Sequence, residues 1–479
     1  MVRDAGRYLS RAAMLMLVVT VAAAQQQAPE IRALLHIGFD GDLKAEAAGA
    51  EVTATQLQPV TFAQGRLGQA GDFTQAGCVE YRGLPPLDLE QGTLELWIRP
   101  AHPPTELEDH VYLQFLGDDG STGIEVKFYH VELSVQVTMW GASGRFRRYG
   151  WGFEEGAWQH IVVTWDATGP AASGLTLYKQ GAETGYPATY KPIDQPGLLR
   201  VGCLSLDGGQ QAKALIDEIT IYSRALSAGQ VRVLYEAADR PLDQRLLVLR
   251  ERIAADEALA ARRHDLLFNH RRIAILHGRN TSLVNWPDSR FQELALPVPE
   301  PVHEDDLTTT DLSAYDVLFC PGGGGLNLQD DQAEALREYV RQGGGYVGVC
   351  GGAITAARAG LIEAQRYTFG VRGPVWTHLT EHPVTEGYDL TRKLLCPHAS
   401  GPLFVIAEGS DEQSVITFDV GDPPLPTFTH TIARQIGEGR VVAFSGHPEA
   451  SAETHALLRN AIMWVARIIG PDGEAPATE

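Results

Sequence analysis

The stretch GYVGVCGGAITAARAG, residues 345–360, changes period at its sixth residue. GYVGVC is an apolar run of strand length, and GGAITAARAG opens a helix pattern. A strand that feeds a helix directly is the building unit of a parallel sheet. The same rhythm surrounds it. RRIAILHG (271–278), YDVLFC (315–320) and RVVAFSG (440–446) read as buried strands. DQAEALREYVRQGG (331–344) and ETHALLRNAIMWVARII (453–469) read as amphipathic helices. Residues 271–469 are therefore expected to form a doubly wound α/β domain, with functional loops beyond the carboxyl ends of the strands.

Three stretches reach that edge. PGGGG (321–325) follows the strand ending at Cys320. Successive glycines let bare N–H groups approach a ligand, as an oxyanion hole requires. At Cys350 a tight strand-to-helix turn would lift the thiol out of the sheet, as in a nucleophile elbow. The helix start offers N–H groups and a positive dipole end, both of which favour thiolate. The N–H of Gly351, aided by Gly323 or Gly324, would face a developing oxyanion. A packed core thiol fits the same residues. GHPE (446–449) is the third stretch: His447 is a candidate base, and Glu449 a candidate to hold its second ring nitrogen. Alone it reads as a turn around Pro448. Two such motifs at strand ends of one domain favour a Cys350–His447–Glu449 triad. His277, His378, His382, His398 and His430 form no metal-binding spacing, so neither a catalytic metal nor a cofactor is expected.

Together these residues resemble the class I glutamine amidotransferase-like superfamily. Gly348, Cys350 and Gly352 meet its G-x-C-x-G elbow, and His447 with Glu449 its His-x-Glu pair. PGGGG, GVCGGA, EHPVTEGY (381–388), SGPLF (400–404) and GHPE stand in the order of the amidotransferase-like region at the N-terminus of some biotin–protein ligases. The resemblance implies a flavodoxin-like, amidotransferase-like fold and thiol chemistry on a small acyl, amide or peptide substrate. True glutaminases of the superfamily carry glutamine four residues after the nucleophile. Ile354 stands there, so glutamine hydrolysis feeding a synthase is not expected.

Residues 31–236 have a different texture. TLELWIRP (93–100), VYLQFLG (111–117), GIEVKFYH (123–130), LSVQVTMW (133–140), WQHIVVTWD (158–166) and LTLYKQG (175–181) are short apolar alternations between turn clusters. They predict an all-β sandwich. The segment 214–237 reads as a strand, a turn and a short helix opened by Ser227. FDGDL (39–43), LELWIRP, WQHIVVTWD and IDEITIYSRALS (216–227) resemble the laminin G-like, concanavalin-like jelly-roll family. That implies a domain able to bind a glycan or another extracellular surface ligand. Asp40, Asp42 and Asp217 are candidates for a structural calcium, against plain turn hydrogen bonding. Trp140, Tyr149 and Trp151 are candidates for a sugar-stacking face, against a core role.

The rest of the chain frames these domains. Residues 1–24 carry Arg3, Arg7 and Arg11 before the apolar run Ala12–Ala24, and read as a signal peptide, with an uncleaved membrane anchor as the alternative, so export is expected. Residues 238–270 read as a helical linker and 470–479 as a disordered tail. The formal net charge of −21 argues against a nucleic-acid partner. Five cysteines are too few for a disulfide framework, and Cys78 with Cys203 are candidates to pair. Two functional readings follow. One is an exported cysteine-dependent hydrolase or acyl-transfer enzyme with a surface-binding jelly roll. The other is a non-catalytic binding or sensor protein that keeps the α/β domain as a scaffold.

Overall fold

The computed structural model describes residues 30–470 apart from 85–89, 118–121, 142–143, 151–153, 168–173, 189–196, 205–209, 369–371 and 420–427. The signal-like segment, Trp151 and the tail from residue 471 lie outside the described residues. The chain divides into two compact units, Met1–Ala255 and Asp256–Glu479.

The first unit is a sandwich of a ten-stranded and a seven-stranded sheet. Every pairing in both sheets is antiparallel. Alternate residues of each strand turn inward, as the two-residue period of a strand dictates. Leu94, Leu96, Ile98, Ile161, Val163, Ile216 and Ile219 of the larger sheet meet Leu113, Phe115, Val126, Phe128, Val135 and Val137 of the smaller in one core. Trp165 lies over Gly92, its register partner, where a Cβ would stand 2.3 Å from the indole.

The strand Ala214–Tyr222 is buried along its whole length because its outer face is also covered. Val231 and Leu234 of the helix Ala228–Glu236 pack there with Leu249 and Ile253 of the helix Leu242–Asn269. Ser227 opens the shorter helix with a capping box to Gln230. Under this cover Arg245 bonds both Glu95 and Glu218, while His160 and Tyr222 also bond Glu95. Cys78 and Cys203 form a disulfide across 125 residues. Closing a loop of that size removes unfolded-state entropy worth about 4–5 kcal/mol in the chain-entropy model.

The second unit is built on one mixed eleven-stranded sheet. Glu300–His303, Ile273–His277, Val317–Cys320, Gly345–Val349 and Gly439–Phe444 lie side by side and parallel. Val317, Phe319, Val347, Val349, Val442 and Phe444 share a core with the helix His455–Val465. Leu318, Tyr346, Val441 and Ala443 share another with the helices Asp330–Arg341 and Gly351–Arg358. Beyond Gly439–Phe444 the sheet continues antiparallel through Thr429–Ile436, Gln413–Phe418, Val375–Leu379 and Lys393–Cys396. The expected parallel, doubly wound arrangement is met by the five parallel strands, and the rest of the sheet departs from it. The chain between 361 and 440 supplies hairpin-like strands without crossover helices, and strands joined without a crossover can only pair antiparallel.

Candidate active site

GVCGGA folds as a strand-to-helix elbow. Cys350 follows the strand Gly345–Val349 and caps the helix Gly351–Arg358 with φ +50° and ψ −103°. A non-glycine residue at such φ is strained, and strain of this kind persists only where the surroundings fix it. The glycines around it are steric requirements. A Cβ on Gly348 would stand 2.5 Å from the Gly352 carbonyl, and one on Gly352 2.1 Å from the Cys320 carbonyl oxygen. One on Gly351 would stand 2.3 Å from the Gly323 carbonyl oxygen. The elbow thus packs backbone against backbone, and the Cys350 N–H donates to Phe444 O at 2.8 Å.

The Cys350 thiol is nearly buried, and three groups address it: His447 and the N–H groups of Gly323 and Gly351. Burial pushes its pKa up, but the hydrogen bond and charge of His447 and the N–H groups of Gly323 and Gly351 outweigh that, so it lies below an ordinary thiol. Burial likewise pushes His447 down, and its bonds to Cys350 and Glu449 more than reverse this, raising it to about 10. His447 Nδ1 lies 2.8 Å from Glu449 Oε1. The opposed shifts favour thiolate on Cys350 and imidazolium on His447, with the Glu449 carboxylate behind the ring. The structure therefore brings Cys350, His447, Glu449, Gly323 and Gly351 together. Gly324 is withdrawn as an oxyanion donor, because its N–H is committed to Asn280 O at 2.7 Å. The φ of +112° at Gly323 turns the chain between these two amides.

Several residues that hold the site carry no signal in the sequence. Glu304, nearly buried, accepts from the Arg279 N–H at 3.1 Å and the Asn327 N–H at 2.9 Å, bracketing the glycine run. Pro397 O accepts the His447 N–H at 2.8 Å. Arg290 and His455 both bond the Glu449 carbonyl, each at 3.1 Å. Cys320 and Cys396 are buried thiols pushed up to about 11 by desolvation, the opposite of Cys350. His277 stands at its strand end against His303, with ring centroids 5.0 Å apart.

In the first unit the candidate calcium ligands are occupied by backbone. Asp217 Oδ2 accepts from the N–H of Arg66 at 2.7 Å and Leu67 at 3.2 Å. Asp40 accepts from Gln69 N at 2.8 Å and Asp42 from Lys44 N at 2.9 Å. Carboxylates used this way organise turns, the alternative weighed against a calcium site. Trp140 lies against Gly123 of the neighbouring strand, where a Cβ would be 2.6 Å from the ring, so its face is spent on the sheet. Tyr149 is half-buried beside Tyr129.

Residues 74–232 match the concanavalin A-like lectin/glucanases superfamily. This jelly-roll match lies within the antiparallel sandwich. No curated protein matches the chain. Among solved structures, domain 4 of AbnA, an extracellular GH43 arabinanase from Geobacillus stearothermophilus in complex with arabinotriose, is 20% identical. It has a TM-score of 0.35 and covers 43% of this chain and 99% of its own. The botulinum neurotoxin serotype G binding domain is 14% identical, with a TM-score of 0.35, over 43% of this chain and 51% of that one. PurLQS from Thermotoga maritima is 15% identical, with a TM-score of 0.34, over 40% of this chain and 98% of that one. Among the described residues, no helix is long and apolar enough to cross a membrane.

Proposed function

We propose that the second unit is a cysteine-dependent hydrolase or acyl transferase of amidotransferase-like type, carried on an exported chain whose jelly roll holds a glycan or other surface ligand. The observation that carries this reading is the strained Cys350 elbow, whose thiol pKa is drawn below an ordinary one by His447 while Glu449 holds the far side of that ring. Core thiols such as Cys320 show none of this. The Cys78–Cys203 disulfide fits an oxidising compartment and supports export alongside the Ala12–Ala24 run.

In the proposed reaction the Cys350 thiolate attacks a substrate carbonyl carbon, and the electron pair moves onto oxygen. The N–H groups of Gly323 and Gly351, which face the sulfur, would receive that oxyanion. His447 gives its Nε2 proton to the leaving amine or alcohol as the carbon–heteroatom bond breaks, leaving a thioester. Water then loses a proton to the neutral imidazole, attacks the thioester and releases the acid, regenerating the pair. Glu449 keeps the ring oriented and supports its positive charge. Ile354 in place of glutamine argues for a substrate other than glutamine.

The test is a screen of thioester, amide and peptide substrates by intact-protein mass spectrometry. The reading predicts an acyl adduct on Cys350, and loss of turnover in Cys350→Ser by about 10³-fold or more. Turnover that survives Cys350→Ser would overturn it in favour of a scaffold role.

A further inference from the structure

A second cluster of chemistry lies in the first unit, far in sequence from the triad. Residues 101–109 link the strand Gln91–Pro100 of the larger sheet to His110–Leu116 of the smaller. The Glu106 N–H donates to Pro103 O at 3.1 Å, folding the link back on itself. That turn gathers His102, Glu106 and His110, whose donor atoms all lie within 4.8 Å of one another.

The state of His110 is decisive. Its Nδ1 lies 2.8 Å from the Gln211 carbonyl oxygen, which only accepts, so Nδ1 carries the proton. Nε2 is then left with a lone pair. This atom is buried and has no hydrogen-bond partner among the described residues, in a side chain only 1% exposed. A buried acceptor left without a donor is costly, and a bound cation would satisfy it. A histidine fixed through Nδ1–H to a carbonyl, with a bare Nε2, is arranged as a metal ligand is arranged by its outer-shell partner. His102, also 1% exposed, lies with its ring centroid 4.1 Å from that of His110. Its Nε2 lies 3.1 Å from the Tyr112 hydroxyl. Phe128 walls the pocket against His102 at 4.8 Å between centroids.

We propose that His102, Glu106 and His110 bind a divalent transition cation of the zinc class. Two imidazoles and one carboxylate suit such an ion, whereas calcium selects oxygen ligands. Three protein donors leave a position for water or a ligand oxygen. Lys213 lies 3.7 Å from Glu106 and 3.8 Å from Glu108, so the ammonium keeps a carboxylate partner when Glu106 turns to the ion. The cation would tie the link between the sheets to the first residue of the inner strand.

The experiment titrates Zn²⁺ into chelator-treated full-length protein by calorimetry, with Co²⁺ absorption as a coordination signature. Cys350 is alkylated beforehand so that its thiolate does not compete. The expected result is one equivalent bound, a raised thermal midpoint and no comparable effect of Ca²⁺. His110→Ala and Glu106→Gln should each weaken binding by about tenfold or more. Glu106→Gln, in a partly exposed link, decides the matter should His110→Ala not fold. Absence of a stoichiometric Zn²⁺ event, or wild-type affinity in folded Glu106→Gln, would overturn the proposal.

Discussion

Replacing Gly351 by alanine sets two effects of opposite sign against each other. Gly351 opens the helix Gly351–Arg358, where helix propensity and unfolded-state entropy favour alanine by up to about 1 kcal/mol. The new Cβ would stand 2.3 Å from Gly323 O, 2.6 Å from Gly323 C and 2.7 Å from Gly325 N. All three are backbone atoms of the glycine loop, so no side-chain rotation relieves the contact. Overpacking of this kind costs about 1–3 kcal/mol or more, and the elbow and loop must part. Sterics should win, with a net loss of about 1–2 kcal/mol and a midpoint lowered by roughly 2–8 °C for a unit of this size. Gly324→Ala is the matched control. Its nearest neighbour would be Asn280 Cβ at 3.3 Å, so its change should stay within about 0.5 kcal/mol. Differential scanning calorimetry reads both variants, and iodoacetamide labelling reads the site. Gly351→Ala should also slow Cys350 labelling, because the Gly323 and Gly351 amides no longer converge on sulfur. A Gly351→Ala protein as stable as wild type and labelled as fast would refute the backbone-against-backbone elbow.

Other perturbations reach different parts of the molecule. Arg245→Met leaves Glu95 and Glu218 buried without their shared cation, and the first unit should lose about 3–5 kcal/mol in urea unfolding. His430, pushed down to about 3 by burial and by the neighbouring His398 and His447, stays neutral in the fold while the unfolded chain titrates at 6.5. Its contribution is therefore full above pH 6.5 and falls by about 1.4 kcal/mol per pH unit as the pH drops towards 3; His430→Gln should flatten that part of a stability–pH curve. Reducing the Cys78–Cys203 disulfide should lower the first unit's midpoint while leaving the rate of Cys350 labelling unchanged.

The sequence exposes the parts of this molecule that depend on local constraint. GVCGGA is legible because a strand-to-helix elbow excludes Cβ atoms at three fixed places. GHPE is legible because ring and carboxylate are two residues apart. The jelly-roll strands are legible as short apolar runs set between turn clusters. The antiparallel wing shows the converse. In Val375–Leu379, Thr377 is fully buried while Trp376 is 53% exposed, so apolarity and burial run out of phase. A run of glycines likewise hides which amide is free, since Gly323 and Gly324 differ only in where the fold directs them. An aspartate in a turn reads alike whether it accepts N–H groups, as Asp217 does, or holds a cation. His102 and His110 escaped notice because their meeting depends on a link between two sheets.

His447 draws the pKa of the Cys350 thiol below an ordinary one, and the pH profile of Cys350 alkylation reads that directly. An ordinary thiol is only about 0.3% thiolate at pH 6. Wild-type Cys350 should therefore keep more of its reactivity than an ordinary thiol as the pH falls from 8 to 6. In His447→Ala the rate should fall with pH as a free thiol's does, by about tenfold or more at pH 6. Superimposable profiles for the two proteins would contradict the ion pair, and with it the proposed chemistry.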